Sequence, residues 1–211
     1  SSLYPAIVRA TALNSLSAYN SDDALSTIQL ALRDTLPMIR QAAASSLSTT
    51  DSTVLFRSLS PLLSDPVKAV RLAAVSRMLS FNASRFDQNQ LKTFEKTLEE
   101  YKNALEYLAD FPSGRHNLGI FYSSTNQPDK AIKEYKEAIL IDRLFYPSKI
   151  NLALLYYQQR EFDLAKSLFK EIIETHPELS DGYYYLALLF GELKQYHEAI
   201  AILEKAILAT P

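Results

Sequence analysis

Apolar positions recur along this chain with two different periods. From Pro112 to Pro211 the step is 34 residues: Leu118, Leu152 and Leu186 coincide, as do Gly119, Ala153 and Ala187, then Tyr122, Tyr156 and Phe190. The same step carries Ala131 to Ala165 and Ala199, Tyr135 to Phe169 and Leu203, and Arg143 to Pro177 and Pro211. Nearer the start the step is 31, linking Val8, Ile39 and Val70, then Arg9, Arg40 and Arg71, then Ala12, Ala43 and Ala74, then Leu16, Leu47 and Met78. The segments between keep the same register, Leu25 with Phe56, Ile28 with Leu59, Leu32 with Leu63 and Asp34 with Asp65. Periods of this size are the mark of stacked helix-turn-helix units, each burying its apolar face against the next. The pattern therefore predicts an all-α helical-repeat solenoid, a right-handed α-α superhelix with one array over residues 1–85 and a second of three units over 112–211. Between them, Leu91, Phe94, Leu98, Tyr101, Leu105 and Leu108 recur at helical spacing behind a candidate N-cap, Asp87, and predict one long connecting helix within 86–111. The aperiodic stretch Ser80 to Phe86 is the expected hinge.

The small residues have a physical reading. Helices that cross closely need side chains no larger than Gly or Ala at the contact, which is the expected role of Gly119, Ala153 and Ala187 against Ala131, Ala165 and Ala199. The rings Tyr122, Tyr156 and Phe190 then fill the space between pairs, as core residues rather than ligand contacts. With these residues, the 34-residue unit resembles the tetratricopeptide repeat (TPR). The 31-residue unit, in which Pro37-Met38-Ile39-Arg40-Gln41-Ala42-Ala43 is echoed by Val67-Lys68-Ala69-Val70-Arg71-Leu72-Ala73-Ala74, resembles short HEAT-like repeats, with Pro37 and Pro66 in the first turn of a second helix. That resemblance implies that the recurring Asp and Arg side chains hydrogen-bond along the stack instead of forming a row for phosphate or carboxylate ligands. Ser1 to Tyr19 matches only the second helix of such a unit, so the chain is expected to continue upstream. At the other end Ile200, Leu203 and Ile207 are expected to leave an apolar face that could pair two copies into a homodimer.

Composition narrows the function classes. Only four glycines occur in 211 residues, and no alternating β-branched run stands out, in keeping with helices throughout. The net charge of -2 lacks the clustered basic excess that nucleic acid or an anionic membrane would require. It is unevenly spread: residues 1–85 carry eight Lys and Arg against five Asp and Glu, and residues 86–211 carry fourteen against nineteen, which is +3 and -5. With no cysteine in the sequence, disulfides, thiolate metal sites and cysteine nucleophiles are ruled out. No apolar run approaches the length of a membrane span.

Candidate chemistry is sparse. The three histidines, His116, His176 and His197, have no second ligand at metal spacing on one face, and neither a nucleophile elbow nor a phosphate loop is present. The expected activity is non-enzymatic, with no cofactor or metal held by these residues. What remains is a groove lined by the first helices of the three TPR-like units. In register, the side chains facing it are His116, Ile120 and Ser123, then Ile150, Leu154, Tyr157 and Gln158, then Asp181, Tyr184 and Leu188. Ser113, Ser124 and Glu192 flank them. This set is more apolar and aromatic than a solvated surface needs, which points to a protein or peptide ligand, a helix or extended segment, packed there. Some relatives of the repeat clamp a terminal carboxylate with Lys, Asn and Arg in this groove. His116, Ile120, Ile150 and Leu154 offer no such clamp.

Taken in order, HEAT-like repeats, a helix with Glu99-Glu100-Tyr101, then Asn117-Leu118-Gly119 and Asn151-Leu152-Ala153, with Ile7-Val8-Arg9-Ala10-Thr11-Ala12-Leu13 at the start, the chain resembles the C-terminal region of exported bacterial multihaem c-type cytochromes. The resemblance implies the interaction module of a larger exported, periplasmic protein, or the accessory domain of a redox enzyme, with any haem upstream of Ser1. These residues contain no Cys-x-x-Cys-His. A stand-alone cytoplasmic TPR adaptor is the alternative.

Overall fold

The structure, a computed structural model, describes residues 4–19 and 21–209, and among them it is helical with no strand. The chain forms two compact units, Ser1–Ala104 and Leu105–Pro211.

The first unit holds α1 (Ala6–Leu16), α2 (Asp22–Ala31), α3 (Pro37–Ser46), α4 (Ser52–Leu59), α5 (Lys68–Ser76) and most of α6 (Gln88–Glu106), with 3₁₀ turns at Ser60–Ser64 and Ala83–Arg85. Entry into these helices is written locally. The Ser21 hydroxyl accepts from the Ala24 N–H, Asp51 accepts from the Thr53 and Val54 N–H groups, and Pro37 occupies the first turn of α3. Pro66 differs from expectation: α5 begins at Lys68, so this proline precedes the helix and Val67, in extended conformation, is the cap residue. Helices α1, α3 and α5 pack side by side, with α2 against α3 and the Ser60–Ser64 turn against α5. The 31-residue register is buried where it repeats, at Ile39 and Val70, Ala43 and Ala74, Leu47 and Met78. Leu32, Leu63 and Phe94 carry it one step further, onto α6. In α1 the matching Val8 and Ala12 are exposed, because no described helix covers that side.

The expected hinge is a packed corner. Phe86 is buried and stacks on Phe94 with ring centres 4.6 Å apart, and Phe56 meets both Phe81 and Phe86 edge-on. Asn82 closes the turn by accepting from the Ser84 N–H at 2.9 Å. Four aromatic rings thus hold a segment whose lack of helical period reflects a corner, not slack.

The recurring charges form a ladder. Arg9 pairs with Asp34, and Arg40 donates to both oxygens of Asp65 at 2.7 and 3.0 Å. Arg71 reaches Glu100 on α6 at 2.7 Å, since the position that continues the Asp register is Lys96. Arg40 and Arg71 each also donate to two carbonyls, Asp34 and Thr35 for one, Asp65 and Pro66 for the other. These carbonyls lie in the links just before α3 and α5, so the same guanidinium fixes the entry to its own helix and ties neighbouring repeats.

The second unit contains α7 (Pro112–Ser124), α8 (Pro128–Ile141), α9 (Tyr146–Gln158), α10 (Phe162–Thr175), α11 (Ser180–Glu192) and α12 (Tyr196–Ala209). The helices pair as α7 with α8, α9 with α10 and α11 with α12. Successive pairs meet through α8 with α9 and α10 with α11. The connecting helix is shorter than its apolar pattern: α6 ends at Glu106, and Tyr107 to Asp110 form turns. Phe111 before Pro112 is extended, as a residue preceding proline prefers, and the Leu108 carbonyl sits where a side chain on Gly114 would be, 1.8 Å from an added Cβ.

Gly119 packs against the Tyr135 ring, and a Cβ there would lie 2.3 Å from it. Burial pushes the Tyr135 phenol up to about 12. On α12, Ile200, Leu203 and Ile207 are exposed, whereas Phe169, one step back from Leu203, is buried under α11.

Candidate functional site

The first helices of the three pairs neighbour one another, α7 beside α9 and α9 beside α11, so residues one repeat apart align across them. Ile120, Leu154 and Leu188 make a central row. Ser124, Gln158 and Glu192 form the row one turn later, and His116, Ile150 and Tyr184 the row one turn earlier. Between α7 and α9 a cavity of about 220 Å³ gathers Ile120, Ser123, Leu154 and Gln158 with Ser124, Leu155, Asn151 and Tyr135. Asn151 donates to the Tyr135 hydroxyl at 3.4 Å. Between α9 and α11 the Tyr157 hydroxyl donates to the Glu192 carboxylate, and this bond, with burial, raises the phenol above its ordinary range.

The sequence-derived set divides in two. Tyr184 is 58% exposed, Leu188 50% and Ile120 37%, and Gln158 and Asp181 also face solvent. Ser123, Leu154 and Tyr157 are half-buried along the same face. Ile150 is a correction: it is buried and belongs to the core of the second unit. His116 is another. Its Nδ1 lies 3.0 Å from the Ser148 hydroxyl, and its ring packs on Tyr135 and Phe145. Burial pushes the imidazole pKa down, so the side chain joins α7 to α8 and α9 as a neutral group.

Sequence reasoning missed the floor, Tyr135, because its register assigned that residue wholly to the core. Asn151 enters the sequence pattern only through the recurring Asn117-Leu118-Gly119 and Asn151-Leu152-Ala153. Lys149 gave no signal either: its side chain is fully buried, and Nζ donates to Glu171 on α10 at 2.8 Å. Among the described residues no group of three or more His, Asp or Glu is placed to hold a metal ion. No described helix is long and apolar enough to cross a membrane.

Comparison with known proteins agrees with the repeat registers. Residues 4–79 match the family model of HEAT repeats. Residues 113–143 and 180–211 match one model of the tetratricopeptide repeat, and residues 150–178 match a second. Among solved structures, a crystal structure of MamA protein is 17% identical, with 74% of this chain and 90% of that chain covered and a TM-score of 0.50. A second MamA crystal structure is also 17% identical, covering 77% and 96%, with a TM-score of 0.51. No curated protein matches the chain. The arrays define a protein–protein interaction scaffold built as an all-α repeat solenoid. These matches concern the repeats alone and do not bear on the resemblance to cytochrome tails.

Proposed function

We propose that this chain is a non-catalytic scaffold whose α7–α9–α11 face binds a helix or extended segment of a protein partner. The observation that carries the reading is the exposed apolar row: Ile120, Tyr184 and Leu188 lie open on helices whose other faces are buried. Such a row, with half-buried Leu154 and Tyr157 beside it, offers anchors at the spacing that amphipathic helices and extended peptides use. The charge on this face is acidic, from Asp181 and Glu192, and no Lys or Arg stands among its residues. The ligand is accordingly apolar with amide or basic groups, and a terminal carboxylate is not what the face selects.

The test is selection of peptides from helical and extended libraries on the full chain, followed by affinity measurement on variants. The double variant Tyr157→Ala, Tyr184→Ala should lose binding by roughly tenfold or more, as aromatic anchors do, with the helical circular dichroism unchanged. Wild-type affinity in the double variant would remove the reading.

A further inference from the structure

The seven arginines of the first unit differ in what holds them, with Arg77 donating to the Leu47 carbonyl and Arg85 to the Ser52 hydroxyl. Arg9, Arg40 and Arg71 recur at the 31-residue step and are consumed by the ladder. Arg33 and Arg57 do not recur: the positions one step from them are Ser64, Ser26 and Gln88. Both are exposed, and among the described residues neither forms an ion pair. Arg57 acts on the Asp51 carboxylate only at a distance.

Arg33 and Arg57 both line one cleft, of about 440 Å³, between the end of α2 and the last turn of α4. Its size lies within the range of about 300 to 1,000 Å³ typical of ligand sites. No Asp or Glu lines it. Of the carboxylates near it in sequence, Asp34 and Asp65 are held by Arg9 and Arg40, and Asp51 accepts from the Thr53 and Val54 N–H groups. Gln29 spans the cleft, donating from Nε2 to the Ser58 hydroxyl at 3.2 Å, which leaves the Ser58 proton to donate elsewhere. The remaining wall is apolar, from Leu62 and from Leu30, which is 77% exposed. A cation near the end of a helix is favoured by the helix dipole. That accounts for one arginine at a time, not for two lining a single cleft without Asp or Glu beside an exposed leucine.

We propose that this cleft docks an acidic, leucine-containing segment of a protein partner, its carboxylates on Arg33 and Arg57 and its apolar side chain against Leu30. An acidic partner suits the basic part of the chain, residues 1–85, whereas residues 86–211 are the acidic part. The site is independent of the α7–α9–α11 face.

The experiment is an NMR titration of the ¹⁵N-labelled full chain with the blocked peptide acetyl-Leu-Glu-Leu-Glu-amide, read at the arginine Nε–Hε and Leu30 resonances. Saturable shifts at Arg33, Arg57 and Leu30 are expected. Affinity should fall about tenfold in Arg33→Gln, Arg57→Gln and about threefold in Leu30→Ser, and should not change in Tyr184→Ala. The proposal is overturned by no saturable shift up to about 1 mM peptide, by equal binding of the Glu→Gln peptide, or by undiminished affinity in the double variant. It is equally overturned if inorganic phosphate alone gives the same arginine shifts at the same concentration and Leu30→Ser is silent, since the cleft would then be a simple anion site.

Discussion

Asp65 shows how much a single side chain carries in this fold. Its Oδ1 accepts both the Arg40 guanidinium at 3.0 Å and the Val67 N–H at 2.9 Å, so one carboxylate starts α5 and ties it to α3. Truncation to Ala would strand a half-buried guanidinium, and a loss of about 2 to 4 kcal/mol in urea denaturation is expected, against less than about 1 for the exposed Lys102–Glu99 pair. The hydrogen bond from Arg40 holds the Asp65 carboxyl below its ordinary value of 3.8. The folded state therefore binds this proton less readily than the unfolded chain does. The pair's contribution is complete above that ordinary value and is lost as pH falls below it, so Asp65→Asn should flatten the acid limb of a stability profile. His116 titrates in a higher window with the same sense. Burial lowers its pKa from 6.5, the unfolded chain takes up the proton first, and stability should decline as pH falls through 6.5. Urea midpoints of His116→Gln should show a shallower decline from about pH 7.5 to about pH 5. An unaltered slope would mean that the imidazole is solvated when charged.

Within the second unit the turn joining each helix pair repeats as closely as the core. Asn126, Arg160 and Lys194 lie one repeat apart, and each is left-handed, with φ of 57°, 62° and 59°. The following N–H reaches back to the carbonyl of Tyr122, Tyr156 or Phe190 at 2.8 to 2.9 Å, closing the helix end. Arg and Lys are strained there and Gly is not, so Arg160→Gly and Lys194→Gly should each stabilise the unit by about 0.5 to 1 kcal/mol in thermal unfolding, provided the side chain makes no other contact. The crossing of α7 and α8 makes the opposite prediction. Gly119→Ala drives a methyl into the Tyr135 ring and should cost about 1 to 3 kcal/mol, and Tyr135→Leu in the same chain should recover most of it, because it removes the ring atoms that the new methyl would meet. These elements also mark what was legible in the sequence. The 31- and 34-residue steps disclosed the helices because burial repeats with them. The left-handed turns stayed hidden because none of the three residues is glycine. The third rung of the ladder was hidden too, since Glu100 stands four residues beyond the expected position. Whether His116 lined a groove or plugged a contact depended on Ser148 and Phe145, which approach it only in the folded chain.

At the scale of the molecule, charge and repeat type change together. Residues 1–85, which contain the HEAT repeats, are basic by +3, with the recurring arginines internally paired and two others lining a cleft. The TPR part is acidic and presents an apolar row with carboxylates at its edge. The proposal that ligands bind on the α7–α9–α11 face is checked by methyl chemical-shift mapping of the full chain with a peptide selected on it. That proposal calls for perturbations concentrated at Ile120, Leu154 and Leu188 and absent from Ile28 and Leu59 in the first core. Shifts centred on α12, or on the first unit, with these three methyls unmoved would contradict it.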